Sequence, residues 1–187
     1  MALQILGGVA KGFKITALTD PQLRPTSVLL RRKIFDAFQN LEGIDFFDLC
    51  AGTGAMGMEA WSRGARSVTA IEKSAKHYRL LQDNVREFQL RYKQQLSERP
   101  FLALKGCGLK WLERKREWLL DAQHPWVIFI DPPYHDQELY QKFLKQLDFV
   151  KDANRQVWIE IDEKLGPQLE SSRRYQHGHH SIVVLDS

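Results

Sequence analysis

Asp45-Phe46-Phe47-Asp48-Leu49-Cys50-Ala51-Gly52-Thr53-Gly54-Ala55-Met56-Gly57 is the stretch that decides the fold. An apolar run closes on a carboxylate, a glycine-rich turn follows, and a helical pattern opens at Ala55. The reading is a strand over residues 45–49, a tight loop, and a helix over 55–63 closed by Gly64. Gly52, Gly54 and Gly57 have G-x-G-x-x-G spacing, which lets the backbone turn sharply and approach a ligand closely. Taken alone, the loop could serve a dinucleotide, another nucleoside, or nothing beyond a tight turn.

Downstream, strands and helices alternate. Residues 68–72 read as a strand, and Ser74 caps a helix to about Arg91. Residues 92–100 are polar and read as a surface extension. Strands are expected at 101–105, 126–131 and 157–161, and helices at 109–120 and 138–147, with a short helical segment at 164–169. Residues 173–176 and 181–185 pair as a terminal hairpin around Gly178. This alternation predicts an α/β fold, a mostly parallel sheet with helices on both faces.

Upstream, residues 3–17 alternate weakly and carry Gly7-Gly8 and Gly12, the pattern of a β-hairpin. After a loop over 19–26, Ser27 is the expected N-cap of a helix to about Leu41, with Leu30, Ile34, Ala37 and Phe38 as its apolar stripe. Arg31, Arg32 and Lys33 are assigned to its other face. The organisation is an N-terminal extension, 1–41, and a main domain, 42–187.

A chain of 187 residues, 43% hydrophobic and 27% charged, has the make-up of one globular unit with a sizeable core. Cys50 and Cys107 provide no disulfide framework, which suits a reduced compartment. No apolar run reaches the ~20 residues of a membrane span, and no signal-peptide pattern opens the chain. A cytoplasmic location is therefore expected. The net charge of +4 permits a polyanionic partner without demanding one.

Two acids sharpen the reading of the loop. Asp48 ends the strand before the glycines, where its charge repels a pyrophosphate and suits a cation. Glu72 ends the next strand, where an acid binds ribose hydroxyls. S-adenosylmethionine offers a cationic methionyl part, a ribose and an adenine, whereas NAD offers a pyrophosphate. A second motif, Asp131-Pro132-Pro133-Tyr134, follows the run Trp126-Val127-Ile128-Phe129-Ile130. The prolines stiffen the chain and leave its carbonyls free to accept hydrogen bonds. Asp131 adds an acceptor and Tyr134 a flat face, a set able to hold a planar amino group. His177-Gly178-His179-His180 reads as a hairpin turn, because no cysteine or carboxylate stands at ligand spacing within the tract. No metal site is expected, and the five tryptophans read as packing residues.

These residues resemble the class I S-adenosylmethionine-dependent methyltransferases. More narrowly, FFDLCAGTGAMGMEAWSRGA, the IE at Glu72, IFIDPPY, the N-terminal ILGGVAKGFKI, LRPT at 23–26 and IFDAF are similar to the RsmD family. The likeness runs from about Leu3 to Leu185. It implies a seven-stranded sheet with its last strand antiparallel, and methylation of the exocyclic N2 amine of a guanine in 16S ribosomal RNA. It places Asp48, Gly52, Gly54 and Glu72 in the cofactor site, with Cys107 near the adenine. It places Asp131, Pro132, Pro133 and Tyr134 in the catalytic site. Glu160 matches an acidic family position without an assigned role, and Asn84 matches a structural asparagine. The chain departs from the family after LRPT, where Val28-Leu29 and Leu30-Arg31-Arg32 replace the usual Asp-Arg and Val-Arg-Glu.

The expected partner is ribosomal RNA or a small-subunit assembly particle, acted on by a monomer. Lys11, Lys14, Arg24, Arg31, Arg32 and Lys33 are the candidate contacts to the RNA backbone. Rival readings are a DNA adenine-amine methyltransferase, a protein glutamine methyltransferase, for which Asn rather than Asp131 is usual, and a non-catalytic RNA-binding assembly factor.

Overall fold

The structure is a computed structural model that describes residues 3–17, 27–96, 98–133, 136–147, 154–167, 169 and 173–185. A seven-stranded sheet runs through it, built from β1 (Asp45–Asp48), β2 (Ser67–Glu72), β3 (Phe101–Lys105), β4 (Trp126–Ile130), β5 (Arg155–Asp162), β6 (Arg173–His177) and β7 (His180–Leu185). The order is β3-β2-β1-β4-β5-β7-β6. β7 is antiparallel to both neighbours, and the first five strands are mutually parallel. This is the α/β architecture read from the alternation, with the seven strands and antiparallel last strand that the family resemblance implies.

Period-two alternation sends each strand's residues to opposite faces. Phe46, Val127, Phe129 and Trp158 join one core, with α1 (Val28–Ala37), α2 (Ala55–Ser62) and α3 (Ala75–Arg91). Phe47, Ile128, Ile130 and Ile159 join the other, with α5 (Gly108–Asp121) and α6 (Gln137–Gln146). A short helix, α4 (Lys93–Leu96), occupies part of the expected surface extension. Trp61, Trp126 and Trp158 are fully buried, whereas Trp118 is exposed.

The N-terminal hairpin is narrower than its sequence pattern implies. It contains a single bridge, Gln4 to Lys14. Main-chain bonds from Ile5 N–H to the Phe13 carbonyl (3.0 Å) and from Ile15 N–H to the Leu3 carbonyl (2.8 Å) hold it closed. Leu3, Ile5, Phe13 and Ile15 enter the same core as α1–α3.

Three readings are corrected. α1 ends at Ala37 rather than near Leu41, and its buried stripe is Leu30, Arg31, Ile34 and Phe35, with Ala37 exposed. Residues 163–166 form a turn rather than a helical segment. In that turn the Lys164 and Leu165 N–H groups donate to Asp162 Oδ1 (2.8 and 3.1 Å). Arg31, assigned to the exposed face of α1, is wholly buried. Glu59 makes this possible: it approaches Arg31 Nε at 4.0 Å, while Arg31 Nη2 donates to the Gln4 carbonyl (2.6 Å). Arg31 is therefore a structural cation and not a contact for RNA. Among the described residues, no helix is long and apolar enough to cross a membrane.

Candidate active site at the carboxyl edge of the sheet

Four neighbouring strands, in the order β2-β1-β4-β5, carry a carboxylate at or near their C-terminal ends: Glu72, Asp48, Asp131 and Glu160. The register aligns them. Asp48 pairs with Ala70 and with Phe129, so Glu72 and Asp131 each stand two residues beyond it. Ile130 pairs with Ile159, which sets Asp131 level with Glu160. Ligand sites of open α/β sheets form at this edge.

Asp48 is buried, and its Oδ1 has no hydrogen-bond partner among the described residues. Burial pushes its carboxyl up to about 7; the N–H groups of Cys50 and Gly57 oppose that rise and Glu72 adds to it. An orphaned carboxyl oxygen at the mouth of a glycine loop fits the ammonium of a methionyl group. Gly54 turns the loop at φ 83°, and an added Cβ would meet Leu81 Cδ1 at 2.6 Å. Glu72 braces the loop: Gly52 N–H donates to Oε2 (2.9 Å) and Ser74 N–H to Oε1 (2.7 Å). Asn84 fastens it from α3, donating to the Thr53 carbonyl (3.0 Å) and the Thr16 carbonyl (2.9 Å). This side chain links the N-terminal hairpin to the candidate cofactor site.

Cys107 is the half-buried N-cap residue of α5, at the end of β3. The adjoining Gly108 lies so close to β1 that a Cβ there would sit 2.1 Å from the Leu49 carbonyl oxygen. The β3–α5 junction thus abuts the strand end beside Asp48. Cys50, inside the loop, has its thiol pushed well up by burial and by Asp131, Asp48 and Glu72, so it stays protonated and inert.

Asp131 is the first residue beyond β4 and is half-buried. Burial raises its carboxyl well above the ordinary range, and Glu160 and then Asp48 raise it further. Pro132 is buried and Pro133 exposed, and Tyr134 lies outside the described residues. Tyr140 on α6 carries no sequence signal beyond a helical apolar position, yet its hydroxyl reaches the edge. It donates to the Glu160 carbonyl (2.9 Å) and lies 3.3 Å from the Pro132 carbonyl oxygen.

Of the candidate RNA contacts, Lys11, Lys14, Arg32 and Lys33 are exposed, and Arg24 lies outside the described residues together with LRPT. The histidine tract forms the β6–β7 turn as expected, with Gly178 at φ 63°. No cluster of three or more metal-ligating side chains occurs among the described residues.

Sheet order, glycine loop and carboxylate row together define the class I methyltransferase fold. The chain belongs to the family described as conserved hypothetical protein 95, whose model matches residues 3–181. It is 31% identical over 163 residues to the ribosomal RNA small subunit methyltransferase D of Buchnera aphidicola subsp. Acyrthosiphon pisum, covering 87% of this chain and 78% of that one. A candidate rRNA methyltransferase of Bacillus subtilis is 26% identical over 196 residues, 97% of each chain. Among solved structures, a Thermus hypothetical protein superposes with TM-score 0.73 at 24% identity, covering 98% of this chain and 99% of that one. An rRNA methyltransferase of Streptomyces viridochromogenes superposes with TM-score 0.62 at 15% identity, covering 90% and 88%. The last two likenesses concern the fold alone.

Proposed function

We propose that this chain transfers a methyl group from S-adenosylmethionine to the N2 amine of a guanine in small-subunit ribosomal RNA. The observation that carries the reading is the carboxylate row, with Asp131-Pro132 one strand away from Asp48 and its glycine loop. A site so rich in negative charge is suited to a cationic methyl donor and to an amine that becomes cationic as it reacts. The names of the curated relatives support ribosomal RNA as the substrate.

Asp48 is the partner for the methionyl ammonium, Glu72 for the ribose hydroxyls, and the Cys107 junction for the adenine. Bound there, S-adenosylmethionine supplies an electrophilic methyl on a sulfonium that becomes a neutral thioether when the methyl leaves. Asp131 and the Pro132 carbonyl accept hydrogen bonds from the guanine amine and aim its lone pair. The nitrogen forms its new bond to carbon as the carbon–sulfur bond breaks, and then sheds one proton to water. Tyr134 stacks on the base, which must leave any helix to reach this edge. Lys11, Lys14, Arg32 and Lys33 hold the RNA backbone. The reading places a monomer in the cytoplasm, acting on ribosomal RNA or an assembling small subunit.

Radiolabelled methyl transfer to unmodified small-subunit RNA and particles, with mapping of the product base, tests this. Label on a guanine N2 is the expected result, and label confined to adenine, DNA or protein overturns it. Asp131→Ala should abolish most turnover and leave cofactor affinity near that of the unaltered protein.

A further inference from the structure

Hairpin register places the histidine tract at the active edge of the sheet. β7 is antiparallel to β5 and pairs His180 with Asp162, two residues beyond Glu160. β6 in turn pairs His177 with His180. The β6–β7 tip therefore stands on the same edge as Asp131 and Glu160.

α1 comes to the tip from the other end of the chain. Lys33 Nζ donates to the Gln176 carbonyl (2.5 Å), one residue before the tip. The Arg173 guanidinium lies 5.3 Å from the centre of the Phe38 ring, at the start of β6. Residues 33 to 38 thus run against 176 to 173, so the first turn of α1 points toward the active edge. Arg32 and Lys33 are exposed on α1, His179 is exposed at the tip, and His177 is half-buried.

The carboxylates near the tip are already engaged. Asp162 accepts the Lys164 and Leu165 N–H groups and faces His180 at 4.0 Å. Glu163 accepts Arg174 (2.7 Å) and the Ser181 hydroxyl. Asp36 on α1 pairs with Arg63 at 3.8 Å, away from the tip. Lys164 remains on the adjoining turn.

We propose that the β6–β7 tip and the first half of α1 form one cationic surface that holds the RNA phosphates flanking the target base. His177, His179, Arg32 and Lys33 supply the contacts. The inference rests on the RNA-methylating reading and adds an RNA contact made by the C-terminal hairpin. Imidazole N–H groups donate to phosphate oxygens, and Arg32 and Lys33 add positive charge to the same surface.

Filter binding of unmodified small-subunit ribosomal RNA tests it, with the unaltered protein, Arg32→Gln and His177→Gln/His179→Gln. The histidine variant should bind the RNA several-fold more weakly than the unaltered protein. Arg32→Gln should weaken binding and lower the salt slope by about 0.7, one phosphate contact on a single strand. S-adenosylmethionine affinity should stay unchanged in both, which separates a lost RNA contact from a damaged fold. Arg32→Gln, at an exposed position, keeps the test decisive if the histidine variant misfolds. RNA binding by both variants that matches the unaltered protein in affinity and salt slope overturns the surface alone. An unaltered protein that neither binds nor methylates RNA overturns the reading beneath it as well.

Discussion

Asp48 illustrates how one side chain couples ligand, pH and stability. Burial pushes its carboxyl up to about 7, so near neutrality it exchanges a proton for charge. A cationic ligand needs the charged form. S-adenosylmethionine affinity is therefore expected to rise as pH climbs through about 7. Without ligand the sign reverses: the folded state holds this proton more tightly than the unfolded chain does. That stability is fully present in acid and is lost as pH rises through about 7. Calorimetric titrations and thermal melts across this range check both trends, and Asp48→Asn should flatten both. Glu72 accepts the Gly52 and Ser74 N–H groups, so its loss removes this brace as well as the proposed ribose partner. Glu72→Ala should weaken cofactor binding by ~1.5–3 kcal/mol, the scale of a charge-assisted hydrogen bond. An unchanged dissociation constant would take Glu72 out of the site.

Elements matter here through the places where their ends meet. α6 sends Tyr140 between the ends of β4 and β5, where one hydroxyl spans the Pro132 and Glu160 carbonyls. Burial, then Asp131 and Glu160, raises this phenol far above its ordinary range, so it remains a neutral donor. Tyr140→Phe is expected to cost ~1–3 kcal/mol in urea unfolding. It should also lower turnover with unchanged cofactor affinity, because the acceptor carbonyl is less firmly placed. The second junction is β1 against the start of α5. Gly108→Ala would drive a methyl group into the Leu49 carbonyl, 2.1 Å away, and only a backbone shift relieves it. The expected outcome is a lower melting temperature, ~1–3 kcal/mol of overpacking, together with weaker cofactor binding.

The molecule as a whole is tied together by Glu59, buried on α2. It accepts the Leu6 and Gly7 N–H groups (2.7 and 2.9 Å) and Arg63 Nε (2.9 Å), and it faces Arg31. Glu59→Ala leaves two buried cations and two hairpin amides without this carboxylate. A loss of ~3–5 kcal/mol in denaturant unfolding is expected, with the N-terminal hairpin exchanging its amide protons first. Much of the fold was legible in the sequence because it depends on neighbours in the chain. The strand–glycine–helix unit at 45–57, the caps at Ser27 and Ser74, and the turn at Gly178 follow from local spacing and backbone preference. Local spacing also put Asp48, Glu72 and Asp131 at strand ends. What local pattern misjudged was Arg31: three basic residues in a row imply a solvated face, and a glutamate on another helix decides otherwise. Nothing in the sequence singled out Tyr140, and the histidine tract looked like a turn with no address. Only strand order and register could line up four carboxylates, drop a hydroxyl between the ends of β4 and β5, and bring the C-terminal tip beside α1. These arrangements arise from pairings between residues far apart in the chain, and no short window of sequence contains both partners.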